Sequence, residues 1–242
     1  MNKRTAIVTG AARRVGAAVA RSLLADGWDV VAHVHRRKDD APEGAVKVVA
    51  DLADPGSAKL IFDAATGLPP VRLLVNNAAR FAWDSLDAIS PSEFDKHMRV
   101  NVRAPALLID QLVAEQDASG ALVVNLLDSK LFAPNPDFLS YTLSKYALAA
   151  LTEIAARALA GRGIRVNGIA PALMLRSNGQ SEENFKAMHS NNPLGHGVEP
   201  EDIIAALRYL IDAHAVTGQV LRIDSGQRFM GLTRDVQFLG DQ

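Results

Sequence analysis

Tyr141 and Lys145 are two residues whose types and spacing could perform acid–base chemistry. They are four positions apart in a stretch rich in alanine and leucine, so a helix would place both side chains on one face. A free phenol has a pKa near 10 and is a poor acid–base catalyst at neutral pH. Because a cation one turn away stabilises the phenolate, Lys145 is predicted to lower the pKa of Tyr141. The same spacing is also common on solvated helices, where it has no catalytic role.

A glycine-rich turn near the start of the chain is predicted to bind phosphate groups. Gly10 permits a tight turn after an apolar strand, and Gly16 lets the following helix pack closely on the sheet. The free N–H groups at the start of that helix would then face a pyrophosphate. They belong to the segment formed by Arg13, Arg14 and Val15. The alternative interpretation is an ordinary turn between a strand and a helix.

Basic residues follow the predicted second strand, where a dinucleotide site that accepts NAD generally has a carboxylate. These residues are His35, Arg36 and Arg37. A carboxylate would repel the 2′-phosphate of NADP, whereas arginine side chains can hold it with charge-assisted hydrogen bonds. We therefore expect NADPH as the cofactor. Asp39 and Asp40 come soon after, so a solvated charged loop is the alternative interpretation.

Short apolar runs alternate with helical patterns along most of the chain, and these elements must position the residues above. Strands are predicted at 5–9, 28–33, 46–49, 71–75, 121–126, 164–169 and 220–223. Helices are predicted at 15–26, 55–66, 90–116, 138–159 and 200–211. Continuous apolar strands joined by helices indicate a parallel sheet that is covered on both faces. The expected fold is a single α/β domain over residues 1–242, with a doubly wound parallel sheet of about seven strands.

Helix start signals and irregular segments complete the predicted layout. Asp54 and Ser90 are expected to cap the helices that begin after them, and Pro105 is expected to kink the second of these helices. Residues 34–45 have no apolar periodicity and are expected to form a long loop. Residues 173–197 are rich in Asn, Ser, His and Gly, and we expect an irregular, mobile lid over a substrate.

These motifs and several others resemble the short-chain dehydrogenase/reductase family, in the family's order and over nearly the whole chain. The matching residues are Thr9, Gly10, Gly16, Asn76, Asn77, Ala78, Asn101, Tyr141, Lys145 and Pro171. The resemblance implies a single Rossmann-type domain that uses NAD or NADP, in a family that commonly forms tetramers.

The same resemblance implies roles for individual residues. Asn77 and its neighbours line the nicotinamide side, and Asp51 with Leu52 holds the adenine. Lys145 binds the nicotinamide ribose, and Asn101 helps to hold a water molecule in a proton relay. Besides the glycine-rich turn and the basic residues after the second strand, the implied cofactor-binding residues are Asp51, Leu52, Asn77, Ala78, Lys145 and Pro171.

Three features resemble the pteridine reductase branch of the family, which includes bacterial dihydromonapterin reductases. Arg14 stands where the family usually has a middle glycine, and its guanidinium group could reach both the cofactor phosphates and a substrate ring. Asp128, thirteen residues before Tyr141, replaces the usual serine, and it could bind an amino-pteridine and help to deliver a proton. Phe81 matches the aromatic residue on which those enzymes stack the pterin.

Each of these features also has a plainer interpretation. Arg14 could be a surface arginine, and Phe81 could be a core side chain. Ser129 could supply the ordinary hydroxyl group if the loop is shifted by one residue, or Asp128 could cap a turn. The apolar residues 173–175 could form a pocket wall or belong to the core.

The sequence thus predicts an NADPH-dependent oxidoreductase that transfers a hydride to a pterin-type substrate, such as a dihydropterin, dihydromonapterin or dihydrofolate. The expected catalytic residues are Tyr141, Lys145, Asp128 and Asn101. The expected substrate-binding residues are Arg14, Phe81, Asp128 and Tyr141. One alternative is a carbonyl or 3-oxoacyl reductase of the same family. An alternative of another class is a non-catalytic sensor that binds NADPH.

Composition argues against several other classes of protein. The 26 basic and 27 acidic residues leave no charge excess for binding nucleic acid or an anionic membrane. The longest uncharged apolar stretches reach about half of the ~20 residues that a membrane span requires. The absence of cysteine excludes disulfides and thiolate zinc sites, and the six histidines lack metal-binding spacing, so no metal is expected. We expect a cytoplasmic homotetramer.

Overall fold

A seven-stranded parallel sheet forms the centre of the molecule. The computed structural model describes residues 4–115, 118–176 and 179–239. The strands are β1 (Thr5–Val8), β2 (Asp29–Val34), β3 (Val46–Val49), β4 (Val71–Asn76), β5 (Leu122–Leu126), β6 (Arg165–Pro171) and β7 (Val220–Ile223). Their order across the sheet is β3-β2-β1-β4-β5-β6-β7, and every neighbouring pair is parallel. The predicted doubly wound α/β architecture is confirmed.

Seven α-helices surround the sheet in the described part of the chain. They are α1 (Arg14–Ala25), α2 (Ser57–Asp63), α3 (Pro91–Met98), α4 (Ala104–Ala114), α5 (Leu139–Leu159), α6 (Glu182–Ser190) and α7 (Pro200–Asp212). Buried residues of α2, α4 and α5 belong to one hydrophobic cluster, and those of α1 and α7 belong to another. The helices therefore cover both faces of the sheet.

The alternating direction of the side chains along β1 explains why both faces of the sheet must be covered. Ile7 belongs to the cluster beside α2, α4 and α5, whereas Ala6 and Val8 belong to the cluster beside α1 and α7. All three side chains are fully buried. Because neighbouring side chains of a strand point to opposite faces, a continuous apolar strand loses stability wherever one face is left open to water. Burial contributes about 25 cal/mol for each Å² of apolar surface.

Two helix starts were predicted from capping signals, and one of them is confirmed. The Ser90 hydroxyl group accepts a hydrogen bond from the Glu93 N–H at the start of α3. The prediction for Asp54 is wrong, because α2 begins at Ser57 and its N-cap is Gly56. The Asp54 carboxylate instead accepts the Gly56 N–H at 2.8 Å, which closes a turn before the helix.

The helix predicted at 90–116 is divided by a five-residue π-helical segment, Arg99–Arg103, which joins α3 to α4. The predicted kink at Pro105 is therefore misplaced. Pro105 lies in the first turn of α4, directly after the π-helical segment. The predicted end of this helix, at residue 116, lies outside the described residues.

Of the two segments expected to be irregular, the loop predicted at 34–45 is confirmed except for Val34, which is the last residue of β2. Residues 35–45 form turns and bends between β2 and β3. Residues 173–197 differ from the prediction, because α6 lies within them. The Ser181 side chain caps this helix by accepting the Asn184 N–H at 3.0 Å, and two acidic residues occupy its first turn. Residues 177 and 178 lie outside the described part of this segment.

Among the residues that the structure describes, none of the helices is both long and apolar enough to cross a lipid bilayer.

Candidate active site

A cleft of about 1050 Å³ lies where the strands end, which is where ligands bind in open α/β sheets. It brings together most of the residues that the sequence singled out. These are Gly10, Arg13, Arg14, Val15, Gly16, His35, Arg36, Asp51, Leu52, Asn77, Ala78, Phe81, Asp128, Ser129, Tyr141, Lys145 and Pro171. Arg37 and Asn101 are outside this lining.

The glycine-rich turn is built for a very close approach between two backbone segments. Gly10 has a φ of +67°, which favours glycine, and Gly16 faces its carbonyl group. A Cβ atom at Gly16 would collide with the Gly10 carbonyl oxygen and lie 2.5 Å from the Asn77 side-chain nitrogen. The Asn77 amide in turn donates to the carbonyl oxygens of Thr9 and Gly10, at 2.8 and 3.2 Å. These contacts therefore fix the turn at the start of α1 in a single geometry.

His33 also holds this turn, and sequence reasoning missed it. Its Nδ1 atom accepts the Gly10 N–H at 3.1 Å, and its Nε2 atom lies 3.0 Å from the Ala50 carbonyl oxygen. These partners require a neutral ring that carries its proton on Nε2. Burial lowers the pKa of His33 and so favours that form. The one available signal was a polar residue within the otherwise apolar residues 30–34 of β2.

Arg14 adopts a left-handed backbone conformation, with a φ of +55°. The resembled family pattern has a glycine at this position, and a left-handed conformation is one that glycine adopts more easily than arginine. The guanidinium group donates to the Leu175 carbonyl oxygen at 3.3 Å. Arg14 therefore connects the turn to the segment that follows β6.

The basic residues after β2 are exposed, and only some of them line one end of the cleft. His35 and Arg36 line the cleft, but Arg37 does not, and the Arg37 carbonyl oxygen accepts a hydrogen bond from Lys47 at 3.0 Å. Asp39 also lines this end, where its carboxylate accepts the Arg36 N–H at 3.0 Å. One oxygen of the Asp39 carboxylate is thus bonded to the backbone of Arg36, and Arg36 itself lines the cleft.

Tyr141 and Asp128 are joined at the other end of the cleft. The Tyr141 hydroxyl group donates a hydrogen bond of 2.7 Å to one oxygen of the Asp128 carboxylate. The second carboxylate oxygen accepts the Lys130 N–H at 2.9 Å. Ser129 is buried next to them, and it also lines the cleft. The loop is therefore in the register that puts the aspartate, rather than the serine, on the tyrosine.

Lys145 is fully enclosed, and its environment corrects one expectation. Its ammonium group donates to the Leu126 carbonyl oxygen at 2.6 Å and lies 5.6 Å from the centre of the Tyr141 ring. Burial lowers the pKa of Lys145 to about 8. The predicted lowering of the Tyr141 pKa is wrong for this structure: burial, followed by the Asp128 carboxylate, raises it well above its ordinary value. Burial also raises the pKa of Asp128.

Asn101 lies behind the cleft and is fully buried in the π-helical segment. Its side-chain oxygen accepts the Arg80 N–H at 2.7 Å, and its amide donates to the Arg80 carbonyl oxygen at 3.0 Å and to the Ser144 hydroxyl group at 2.8 Å. Asn101 thus connects the loop after β4 to helix α5, which carries Tyr141 and Lys145. Its expected part in a proton relay stays a prediction.

Phe81 is an exposed aromatic residue at the mouth of the cleft. Its ring stacks on Phe138, with centres 4.3 Å apart, and meets Tyr141 edge-on at 4.7 Å. The residue remains 43% exposed. An aromatic face beside the tyrosine hydroxyl suits a flat, heterocyclic ligand.

The C-terminal segment contributes a wall that the sequence analysis did not identify. Its cleft-lining residues are Gln227, Arg228, Leu232, Asp235 and Val236. Leu173, Met174 and Leu175 line the cleft too, and Met174 also belongs to the core cluster beside α1 and α7. Both interpretations of residues 173–175 therefore hold. Within the described ranges, the His, Asp and Glu side chains form no group arranged to bind a metal ion.

Comparison with known proteins yields relatives that match nearly the whole chain. The family model described as enoyl-(acyl carrier protein) reductase matches residues 10–228. A crystal structure of FolM alternative dihydrofolate reductase 1 from Brucella canis, complexed with NADP, is 36% identical, with a TM-score of 0.86 and coverage of 94% of each chain.

Two curated relatives carry other descriptions. Dehydrogenase/reductase SDR family member 4 from Pongo abelii is 33% identical over 92% of this chain and 87% of its own. L-xylulose reductase from Mesocricetus auratus is 31% identical over 92% of this chain and 96% of its own. With the parallel sheet, the glycine-rich turn and the tyrosine–lysine pair in place, these matches show that the protein belongs to the short-chain dehydrogenase/reductase family.

Proposed function

We propose that this protein is an NADPH-dependent reductase whose substrate is a pterin-type heterocycle, such as a dihydropterin, dihydromonapterin or dihydrofolate. The observation that carries this proposal is the hydrogen bond of 2.7 Å between the Tyr141 hydroxyl group and the Asp128 carboxylate. A carboxyl group at this place can both bind an amino-substituted ring and hold a proton for a ring nitrogen. The likeness to the Brucella dihydrofolate reductase supports the same substrate class.

The residues of the cleft fit the cofactor. The close approach of Gly16 to the Gly10 carbonyl group shapes the turn, and the start of α1 offers N–H groups for a pyrophosphate. Asp51 and Leu52 lie further along the cleft for the adenine, and Arg36 is placed for a 2′-phosphate. Asn77 and Pro171 lie on the nicotinamide side of the proposed site. The Brucella structure, which contains NADP, supports this assignment.

The chemistry is the addition of a hydride and a proton, that is two electrons and two protons, across a C=N bond. Bound NADPH supplies a hydride to the ring carbon. Tyr141 and Asp128 share a proton at the place where the ring nitrogen must receive one, and burial raises the pKa of both groups. Lys145 places a positive charge beside the pair, and Asn101 fixes α5 against the loop after β4.

Phe81 and Arg14 are proposed to bind the substrate. The Phe81 ring provides a flat apolar surface beside Tyr141, and Arg14 provides a planar set of donors on the opposite wall near Leu175. Residues 173–197 are proposed as a substrate lid of the single domain, because Leu173 and Leu175 already line the cleft.

A carbonyl reductase is the second candidate, and a specific observation favours it. Ser129 is buried in the cleft lining beside Asp128, where it could assist the reduction of a ketone or a 3-oxoacyl thioester. The likeness to L-xylulose reductase agrees with this alternative.

A homotetramer is also proposed. Leu143, Tyr146 and Ile154 leave α5 with apolar side chains that are 44%, 41% and 64% exposed. Association with further copies of the chain would bury them. Light scattering of the purified protein measures the number of copies, and a monomer at micromolar concentration would contradict the proposal.

The experiment that tests the proposed activity measures NADPH oxidation with dihydrobiopterin, dihydromonapterin, dihydrofolate and a panel of simple ketones. Turnover confined to the pterins supports the proposal. Turnover confined to ketones overturns the pterin assignment and favours the second candidate. Tight NADPH binding without turnover on any substrate favours a sensor.

A further inference from the structure

Lys130 lies between the proposed proton-transfer pair and the C-terminal segment. Its ammonium group is 2.8 Å from the Asp235 carboxylate and donates to the Asn135 side-chain oxygen at 2.9 Å and to the Asp137 carbonyl oxygen at 3.0 Å. The side chains of Lys130 and Asp235 are each only 11% exposed. All three N–H bonds of the ammonium group are therefore used, in a largely dry location.

The backbone of Lys130 has a separate function in the same place. Its N–H group donates to the Asp128 carboxylate at 2.9 Å, and this hydrogen bond leaves the other carboxylate oxygen for the Tyr141 hydroxyl group. Lys130 belongs to the 3₁₀ turn Ser129–Leu131, which follows Asp128 directly. Movement of this turn would rotate the carboxylate relative to Tyr141.

The C-terminal segment is fixed to the same loop by a second ion pair. Arg234 binds both oxygens of the Asp137 carboxylate, at 2.8 and 2.9 Å, and the Asp235 N–H donates to one of them at 2.8 Å. Asp137 is buried, so this pairing is hard to replace with water. Phe138 stacks against Phe238 on the same side.

We propose that Lys130 is a positioning residue for the reaction, which holds the Asp128 carboxyl group towards Tyr141 and fixes that arrangement to Asp235 of the C-terminal segment. The inference rests on the proposed function insofar as Asp128 takes part in proton transfer. Asp235 lines the same cleft, so the arrangement also places a paired, rather than a free, carboxylate against the substrate.

The charges around Asp128 make the proposal testable. Lys130 from the 3₁₀ turn and Lys145 from α5 lower the pKa of Asp128, although burial outweighs them and raises it. Tyr141 from α5 donates to it, and Asp235 from the C-terminal segment raises the pKa of Tyr141. Removing the Lys130 cation should therefore raise the Asp128 pKa. Removing the Asp235 anion, which lies 2.8 Å from that cation, should lower it, because the positive charge of Lys130 is then no longer neutralised.

The experiment titrates the aspartate carboxyl carbons of the full chain by ¹³C NMR without cofactor, with Asp128 identified from the Asp128→Asn spectrum. Lys130→Met is expected to raise the Asp128 pKa by about 0.5–1 unit, and Asp235→Asn is expected to lower it by a similar amount. Lys130→Arg keeps the charge and should remain near the parent value. Lys59→Met, at an exposed ion pair of α2, is the matched control and should leave Asp128 unchanged.

Shifts of the Asp128 pKa in opposite directions in Lys130→Met and Asp235→Asn support the proposal. If both variants shift the pKa in the same direction, breaking the ion pair acts only by loosening the segment, and the proposal is overturned. If Lys130→Met fails to fold, Asp235→Asn decides alone, since a lowered Asp128 pKa supports the proposal and a raised one overturns it. The pH dependence of kcat/KM should follow the same shifts. A parent protein that turns over none of the substrates would overturn the proposed function, while the NMR titration would still decide the positioning of Asp128.

Discussion

The Tyr141 hydroxyl group and the Asp128 carboxylate are 2.7 Å apart, although helix α5 carries one and the loop after β5 carries the other. The two residues are thirteen positions apart, and the left-handed Phe138 turns the chain into α5 between them. The short contact means that neither group titrates independently of the other. A proton shared by this pair is therefore the centre of the proposed mechanism, and its loss gives the most direct test.

Replacing Asp128 with asparagine should lower kcat for a dihydropterin by about 100-fold or more, with a much smaller effect on KM. Asparagine has the same shape but cannot hold the transferable proton. Steady-state NADPH oxidation measures both constants. Ser129→Ala is the matched control and should stay within a few-fold of the parent. A larger loss in Ser129→Ala than in Asp128→Asn would transfer the role to the serine.

Arg36 and Arg37 provide a paired test of cofactor choice, because only Arg36 lines the cleft. Arg36→Ala should raise the Kd for NADPH about 10-fold or more, since a charge-assisted hydrogen bond contributes about 1.5–3 kcal/mol. It should leave the Kd for NADH nearly unchanged. Arg37→Ala should affect NADPH less. Titration of cofactor fluorescence gives all four constants, and equal losses for NADPH and NADH would contradict the assignment.

Gly16→Ala should weaken NADPH binding at least 10-fold and lower the free energy of unfolding. The added Cβ atom meets the Gly10 carbonyl group and the Asn77 side chain, so the turn must move. Gly161→Ala is a suitable control, because its Cβ atom would have no heavy atom within 4 Å and its φ is not positive. Calorimetry of cofactor binding and urea unfolding measure the two effects. Unchanged binding in Gly16→Ala would show that the turn does not contact the cofactor.

Two substitutions of Arg14 separate its backbone strain from its proposed part in substrate binding. Arg14→Gly relieves the left-handed conformation, whereas Arg14→Ala keeps it, so the glycine variant should be more stable than the alanine variant by about 1 kcal/mol. Both variants lose the guanidinium group, and both should raise the KM for a dihydropterin. Urea unfolding and steady-state kinetics test the two statements separately. Equal stability of the two variants would show that the backbone relaxes at this position.

Lowered histidine pKa values predict a loss of stability in mild acid. Burial lowers the pKa of His33 in the folded protein, so below about pH 6.5 the unfolded chain binds a proton that the folded chain does not. The free energy of unfolding should therefore fall as the pH decreases from 6.5, by up to about 1.4 kcal/mol per pH unit for this residue. His33→Gln removes the titration, and urea unfolding between pH 5 and 7 should show a shallower slope. The same slope in both proteins would exclude His33 as a source.

The sheet could be predicted because its strands are nearly continuous apolar runs, as in β1 and β5, whose residues are buried throughout. The glycine-rich turn and Asp128 could be predicted because parallel strands bring their carboxyl ends to one edge, whereas Asp51 and Asn77 were expected from the family resemblance. Helix α6 was missed because its start depends on Ser181 and two acidic residues, within a segment of low apolar periodicity.

Contacts between distant segments could not be predicted from local patterns. Arg234 and Asp137 are 97 positions apart, and neither is part of a recognisable motif. The ion pair of Lys130 and Asp235 also forms only when the C-terminal segment packs against the loop after β5. The C-terminal wall of the cleft was therefore absent from the sequence analysis. His33 was missed for a related reason, since its ring bonds Gly10 and Ala50 only after the sheet has formed.

The π-helical segment Arg99–Arg103 changes the phase of the helix in which it lies. A π-helical turn contains one residue more than an α-helical turn, and each residue advances an α-helix by about 100°. The buried face of α4 is therefore rotated relative to the face of α3 that carries the buried His97, and Asn101 lies in the segment between the two helices. A single-residue deletion here would restore a regular helix, yet it would turn either the buried face of α4 or the His97 face of α3 away from its present neighbours. The π-helical turn therefore lets α3 and α4 follow each other without a break while each helix packs against its own neighbours.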